Sequence, residues 1–333
     1  MKKWIALLFV AAGTATAAPA NLDAITAAEA YSRSAGGSSF LAIQDGQVVL
    51  ERSSGEAHKI YSGVKAFWCL AALAAAEDGF LSLDEKVADT IPAWKSDNRK
   101  ARVTIRQLLD FSCGLDPVFN LHGNPGDRDA IAIRAPIVAE PGRKFIYGPA
   151  ALQVFHEVLK KKLDGSPTAY LERRVLRPLG LGSQRHLPDR AGNPLLAAGW
   201  LLSARQWAKL GEVALNGGAP ILKSGMGACW RGSDANRAFS LGWWNNKQAP
   251  NGHEFDIEAM LVRPWQRQVW GGAVLSRDAP KDVVACIGSG YQRLYVVPSM
   301  RLVVVRHGSG AKFNDGTFLR KLVGRQGETP SSR

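Results

Sequence analysis

The stretch "KIYSGVKAFWCL", residues 59–70, decides how the rest of the chain is read. Val64, Phe67, Trp68 and Leu70 mark the start of a buried helix, which the apolar and alanine-rich run extends over residues 62–79. Lys65 lies inside that run, one turn after Ser62. Side chains three apart share a helix face, so the two can meet at the N-terminal turn. Burial would lower the lysine pKa, because the ammonium loses water. A neutral amine can then take the serine proton. Free N–H groups of a first turn favour an oxyanion formed beside them. S-x-x-K is only a four-residue pattern, and a lysine that snorkels from an apolar face is the plain alternative.

Upstream, "SFLAIQDGQVVLERS" (39–53) gives two strands around an Asp45-Gly46 turn. Downstream, "LSLDEKVADTIPAWK" is a loop with a short helical turn. "VTIRQLLDFSCGL" is a short helix with Thr104 as its cap and Gly114 just past its end. Residues 148–164 and 166–177 are helical, and "SARQWAKLGEVALNGG" is a helix from Ser203 to Gly217-Gly218. After about residue 255 the pattern changes. "QVWGGAVLS", "DVVACIGSG", "RLYVVP" and "RLVVVRHG" are β-rich runs, and "NDGTFLRKLVG" closes as a helix. Strands at both ends with helices between them imply an α+β sandwich. One antiparallel sheet is built from both termini and flanked by helices, with a mainly helical inserted lobe. The expected division is a sheet lobe (21–61 and 256–325) and a helical lobe (62–255) within one domain, 21–325, followed by a flexible tail, 326–333.

About 85 residues after Ser62 comes "PGRKFIYGPAALQVF". Tyr147 sits at a loop-to-helix junction, where its hydroxyl can point into a cleft. A core tyrosine with a satisfied hydroxyl is the competing reading. At this point the chain resembles the serine hydrolases of the class C β-lactamase, DD-peptidase and esterase family. "YSGVK" stands at the S-x-x-K. "VTIRQLLDFSCGL" is similar to the family's T-I-R-x-L-L-x-x-x-S-G-L, with Cys113 replacing serine. "FIYGP" stands at Y-x-N, and "YLERRVLRPLGLG", "AAGWLLSARQWAKLGEVALNGG", "SLGWW" and "RLYVVPSMRLVVVRHG" resemble later landmarks.

The resemblance implies the β-lactamase/transpeptidase-like fold and a set of roles. Ser62 is the acylated nucleophile, Lys65 helps deprotonate it, and Tyr147 relays the proton to the leaving group and activates the deacylating water. The backbone N–H of Ser62 and of a residue near Cys286 forms the oxyanion hole. Cys286 and Gly288 are therefore the substrate-binding candidates, with Gly288 and Gly290 allowing close approach. No cofactor and no metal are implied.

Two departures bear on substrate. The Y-x-N asparagine is Pro149, which removes an amide donor. The third motif, Lys- or His-Thr-Gly in the family, is replaced by "VVACIGSGYQ", so no cation stands there to grip a carboxylate. This segment is nearer the esterase-like and nylon-oligomer-hydrolase-like branch. Fragments of a class A pattern also occur: Ser96-Asp97-Asn98, "EVALN" at 212–216 and Lys223-Ser224-Gly225. Their spacing and settings make them chance matches. Six histidines (58, 122, 156, 186, 253 and 307) occur without a G-x-S-x-G elbow. His58, close to Ser62, is the one considered for the cleft. Trp200, Trp207, Trp243 and Trp244 are either core or pocket wall, with core the more frequent fate of such residues.

The first 20 residues, "MKKWIALLFVAAGTATAAPA", have the basic, apolar and small-residue layout of a cleaved secretory signal. They imply a periplasmic or secreted protein without a stable membrane anchor. Export makes disulfides possible among Cys69, Cys113, Cys229 and Cys286, but no pairing can be chosen. The net charge of +13 comes from scattered Lys and Arg. It favours loose contact with anionic envelope components, and no nucleic-acid motif accompanies it. The expected activity is an exported serine hydrolase acting on a small ester or amide. The alternatives are a catalytically weakened member that binds envelope polymer, or a true β-lactamase or DD-peptidase.

Overall fold

The structure is a computed structural model. It describes residues 21–323, apart from 164, 248–251, 255, 257, 259–267, 269 and 311. The expected signal (1–20) and tail (326–333) lie outside the described residues.

Seven strands form the main sheet. Gly37–Gln44 (β1) and Gln47–Arg52 (β2) are the expected hairpin, and Asp45 and Gly46 both take positive φ in its turn. Ala57–Lys59 (β3) pairs outside the sheet with Leu201–Ser203 (β4). Phe239–Ser240 (β5), Trp243–Asn245 (β6), Val284–Gly288 (β9), Gln292–Val297 (β10) and Leu302–Gly308 (β11) complete the order β2-β1-β11-β10-β9-β6-β5, with antiparallel pairing throughout. The N- and C-terminal strands meet at β1 and β11, where Leu41 faces Val305.

The sheet is covered on both faces, which is why "LVVV" (302–305) reads as a continuous apolar run rather than an alternating one. On one face Phe40 and Tyr295 pack against Phe318 of the C-terminal helix Asp315–Val323. On the other, Gly211 of the helix Ala204–Leu215 lies against Val303 and Leu294. The helix Lys65–Glu77 is buried at every position from Lys65 to Ala75. It reads as apolar all round because packing surrounds it.

Several local expectations change. The helix expected from residue 62 begins at Lys65, and Tyr61–Val64 is a 3-10 turn leading into it. Thr104 does cap its helix, in a reciprocal capping box with Gln107. That helix ends at Leu109, so Gly114 does not terminate it and instead lies against the Ala139 carbonyl. The segment expected to be helical over 166–177 is α-helical over Pro167–Leu171 and then widens to a π-helical turn at Glu172–Leu176. Among its described residues, "QVWGGAVLS" contributes a 3-10 turn, Trp270–Gly272, and the strand Ala273–Val274 (β8), paired in parallel with His253–Glu254 (β7) outside the main sheet. β5 and β6 fall within the span assigned to the helical lobe, yet they form one end of the sheet, with β5 at its edge. The four cysteines are buried and unpaired, and burial raises their thiol pKa values.

Candidate active site

Ser62 lies on the 3-10 turn and Lys65 is the first residue of the helix that follows. In a 3-10 turn, residues i and i+3 eclipse one another, so the shift in helix start brings the two side chains closer into line. The Lys65 Nζ is 2.8 Å from Ser62 Oγ and 2.9 Å from the Ala197 carbonyl. Neither partner is charged. Lys65 is 2% exposed. Burial lowers its pKa from 10.5 to about 7, against a smaller opposing effect of Cys69. Tyr147 shares a hydrogen bond with Ser62, and Lys65 Nζ stands 4.7 Å from the centre of its ring. Burial raises the Tyr147 phenol well above its ordinary value, although the Ser62 bond works against that rise. Near neutral pH the trio is therefore a hydroxyl, an amine about half in its neutral form, and a neutral phenol.

Backbone geometry presents the serine. Tyr61 takes φ +46°, a strained value for a bulky residue. β6 covers β9 only as far as Ala285, so the end of β9 faces the Tyr61–Val64 turn rather than another strand. Gly288 makes this approach possible, since a Cβ there would come 2.0 Å from the Ile60 carbonyl oxygen.

A cleft of about 430 Å³ opens over the trio. Its lining includes Tyr61, Phe119, His122, Glu258, Ile287 and Ser289. All three catalytic candidates thus converge in one cleft. Of the two strand candidates, Cys286 is wholly buried and Gly288 packs on Ile60, while Ile287 and Ser289 provide the lining. His58 is elsewhere, stacked on His307, which in turn stacks on Trp207. The histidine in the cleft is His122, which no periodicity or motif signals in the sequence. Trp200, Trp207, Trp243 and Trp244 are all core residues.

Two of the three class A fragments have structural roles. Asp97 accepts the Arg99 and Lys100 N–H groups, and the Lys223 and Ser224 N–H groups bind Glu77. Glu212 lies near the end of the helix Ala204–Leu215, and none of the three fragments lines the cleft. Among the described residues no group of three or more His, Cys, Asp or Glu side chains is arranged to hold a metal ion. No helix among them is long and apolar enough to cross a membrane.

The family model described as Beta-lactamase matches residues 21–307. The chain belongs to the beta-lactamase family. Among solved structures, a class C beta lactamase from Rhodobacter sphaeroides superposes with TM-score 0.64 at 18% identity, covering 90% of this chain and 98% of the other. EstCE1, a hydrolase with promiscuous acyltransferase activity, gives TM-score 0.64 at 19% identity, covering 90% and 97%. These likenesses establish a shared fold. Protein flp of Staphylococcus aureus (strain N315) is 26% identical over 165 residues, which is 43% of this chain. The match spans only 33% of the length of that relative.

Proposed function

We propose that this chain is an exported serine hydrolase that cleaves a small ester or amide through an acyl-enzyme on Ser62. The observation that carries the proposal is the 2.8 Å contact between Ser62 Oγ and a buried lysine without a carboxylate partner. Neutral Lys65 takes the Ser62 proton as Oγ attacks the substrate carbonyl carbon. The resulting oxyanion sits between the backbone of the Ser62 turn and the end of β9. Tyr147, a neutral phenol, donates its proton to the leaving alkoxide or amine and recovers one from the Lys65 ammonium. Water then attacks the acyl-enzyme with the same pair returning the proton to Ser62 Oγ.

The cleft volume suits a small substrate. Pro149 and the absence of a third-motif cation argue against penicillins and D-alanyl peptides as preferred substrates. Export rests on the first 20 residues. Loose attraction to anionic envelope components rests on the net charge of +13, although the run Lys160–Lys162 is engaged in ion pairs with Glu157 and Glu85.

A fluorophosphonate probe applied to the purified protein tests the reading. Labelling of the parent that disappears in Ser62→Ala is expected. An unlabelled parent, or labelling that survives the substitution, overturns it.

A further inference from the structure

One of the two departures from the family pattern lies at a joint of the cleft wall. Where Y-x-N is usual, the chain has Tyr147-Gly148-Pro149, and no amide side chain reaches the substrate from this position. Gly148 is tied to another segment. A Cβ on it would lie 2.4 Å from the Pro117 Cβ and 2.8 Å from its Cα, so only glycine lets residues 116–122 approach so closely. The Ala150 N–H donates to the Pro117 carbonyl across the same contact, at 3.3 Å. The altered motif and this arm form one packed unit.

The arm is held rigidly. Asp116 accepts the Val118 N–H at 2.9 Å. Val118 takes φ +48°, an outlier for a β-branched residue, and this turn leads into the 3-10 turn Phe119–His122. Arg128, 1% exposed, donates to the Leu121 carbonyl through Nε and to the Gly123 carbonyl through Nη2, both at 2.9 Å. It therefore clamps the backbone on either side of His122. Phe119 and His122 both line the cleft and both remain solvent-accessible. A large apolar ring left 53% exposed on the cleft wall is a ready contact for an apolar group.

We propose that His122 is a substrate-binding residue: its neutral imidazole replaces the missing asparagine and hydrogen-bonds the group beside the scissile carbonyl of an uncharged ester or amide, while Phe119 packs on the apolar side of that substrate. The inference rests on the serine-hydrolase reading and adds its substrate class. A neutral imidazole carries one donor and one acceptor, as an amide side chain offers both kinds of partner. Partial desolvation against the cleft wall, then the positive charges of Lys65 and Arg128, hold His122 below the ordinary imidazole range, which favours its neutral form. Glu258 also lines the cleft, bound to the Gly290 and Tyr291 N–H groups and to Arg293, and its charge disfavours a carboxylate on the substrate.

The test uses the full chain, p-nitrophenyl butyrate and the fluorophosphonate probe, with His122→Ala and His122→Asn beside the parent. His122→Ala is expected to lower kcat/KM by about tenfold or more, chiefly through KM. Labelling at Ser62 should stay within about twofold of the parent, because the phosphonate does not need the lost hydrogen bond. His122→Asn should recover most of the loss. Unchanged hydrolysis in His122→Ala overturns the proposal. So does a loss of labelling in step with hydrolysis, which would make His122 a support of the nucleophile, and so does an Asn variant no better than Ala. An unlabelled parent brings down the hydrolase reading itself, and this proposal with it.

Discussion

Two buried cations define this molecule by contrast. Arg293, on β10, is fully buried, and all three of its guanidinium nitrogens have hydrogen-bond partners. Asp315 receives Nε at 2.7 Å and Nη2 at 3.0 Å, while Glu258 and the Gly288 and Gln292 carbonyls receive Nη1. Tyr295 donates its hydroxyl to the same Asp315. Burial disfavours the charged Arg293, but the charge and hydrogen bonds of Asp315 outweigh it and raise its pKa. Lys65 is almost as deeply buried, yet it has one hydroxyl and one carbonyl and no anion. The same desolvation acts on both groups with opposite results. A paired cation keeps its charge and serves the fold, whereas an unpaired one drops toward neutrality, the state a general base requires.

The comparison is sharpened most by Lys65→Met. Activity toward p-nitrophenyl butyrate should fall by roughly 10²- to 10⁴-fold, the usual worth of a general base. Stability should rise, because an unfolded lysine holds its proton up to 10.5 and the folded one only to about 7. That penalty grows as pH falls between those values and is complete below about 7. The gain in urea denaturation should therefore be larger at pH 7 than at pH 10. A loss of stability would break the comparison.

Asp315→Asn should do the reverse. Removing the charge leaves Arg293 buried with an inadequate partner, and stability should drop by about 3–5 kcal/mol in the same assay. Ser62 labelling should persist in whatever fraction remains folded. A neutral effect on stability would place Arg293 and Lys65 in the same category and remove the distinction.

Much of this was legible in the sequence, for identifiable reasons. Ser62 and Lys65 stand three apart, and a short-range spacing survives a change from α-helix to 3-10 turn. The strands at both termini were visible as apolar runs bounded by turns. β5 and β6 were not, since two- and three-residue strands joined through Leu241-Gly242 carry too little periodicity to stand out. His122 was passed over in favour of His58 because chain proximity to Ser62 is the only proximity a sequence displays. The structure turns His58 toward His307, while a strained Val118 and a buried Arg128 place His122 in the cleft. The Arg293–Asp315 pair was likewise hidden, because 22 residues and a change of element separate its members.

The central claim is that Lys65 activates Ser62 because it is buried without a counter-charge. The rate of fluorophosphonate labelling at Ser62, measured from pH 5 to 9, tests it directly. The account predicts a rate that climbs about tenfold per pH unit on the acid side, bends near the value of about 7 set by Lys65, and stays level above it. A rate independent of pH across this range, or one still climbing at pH 9, would contradict it.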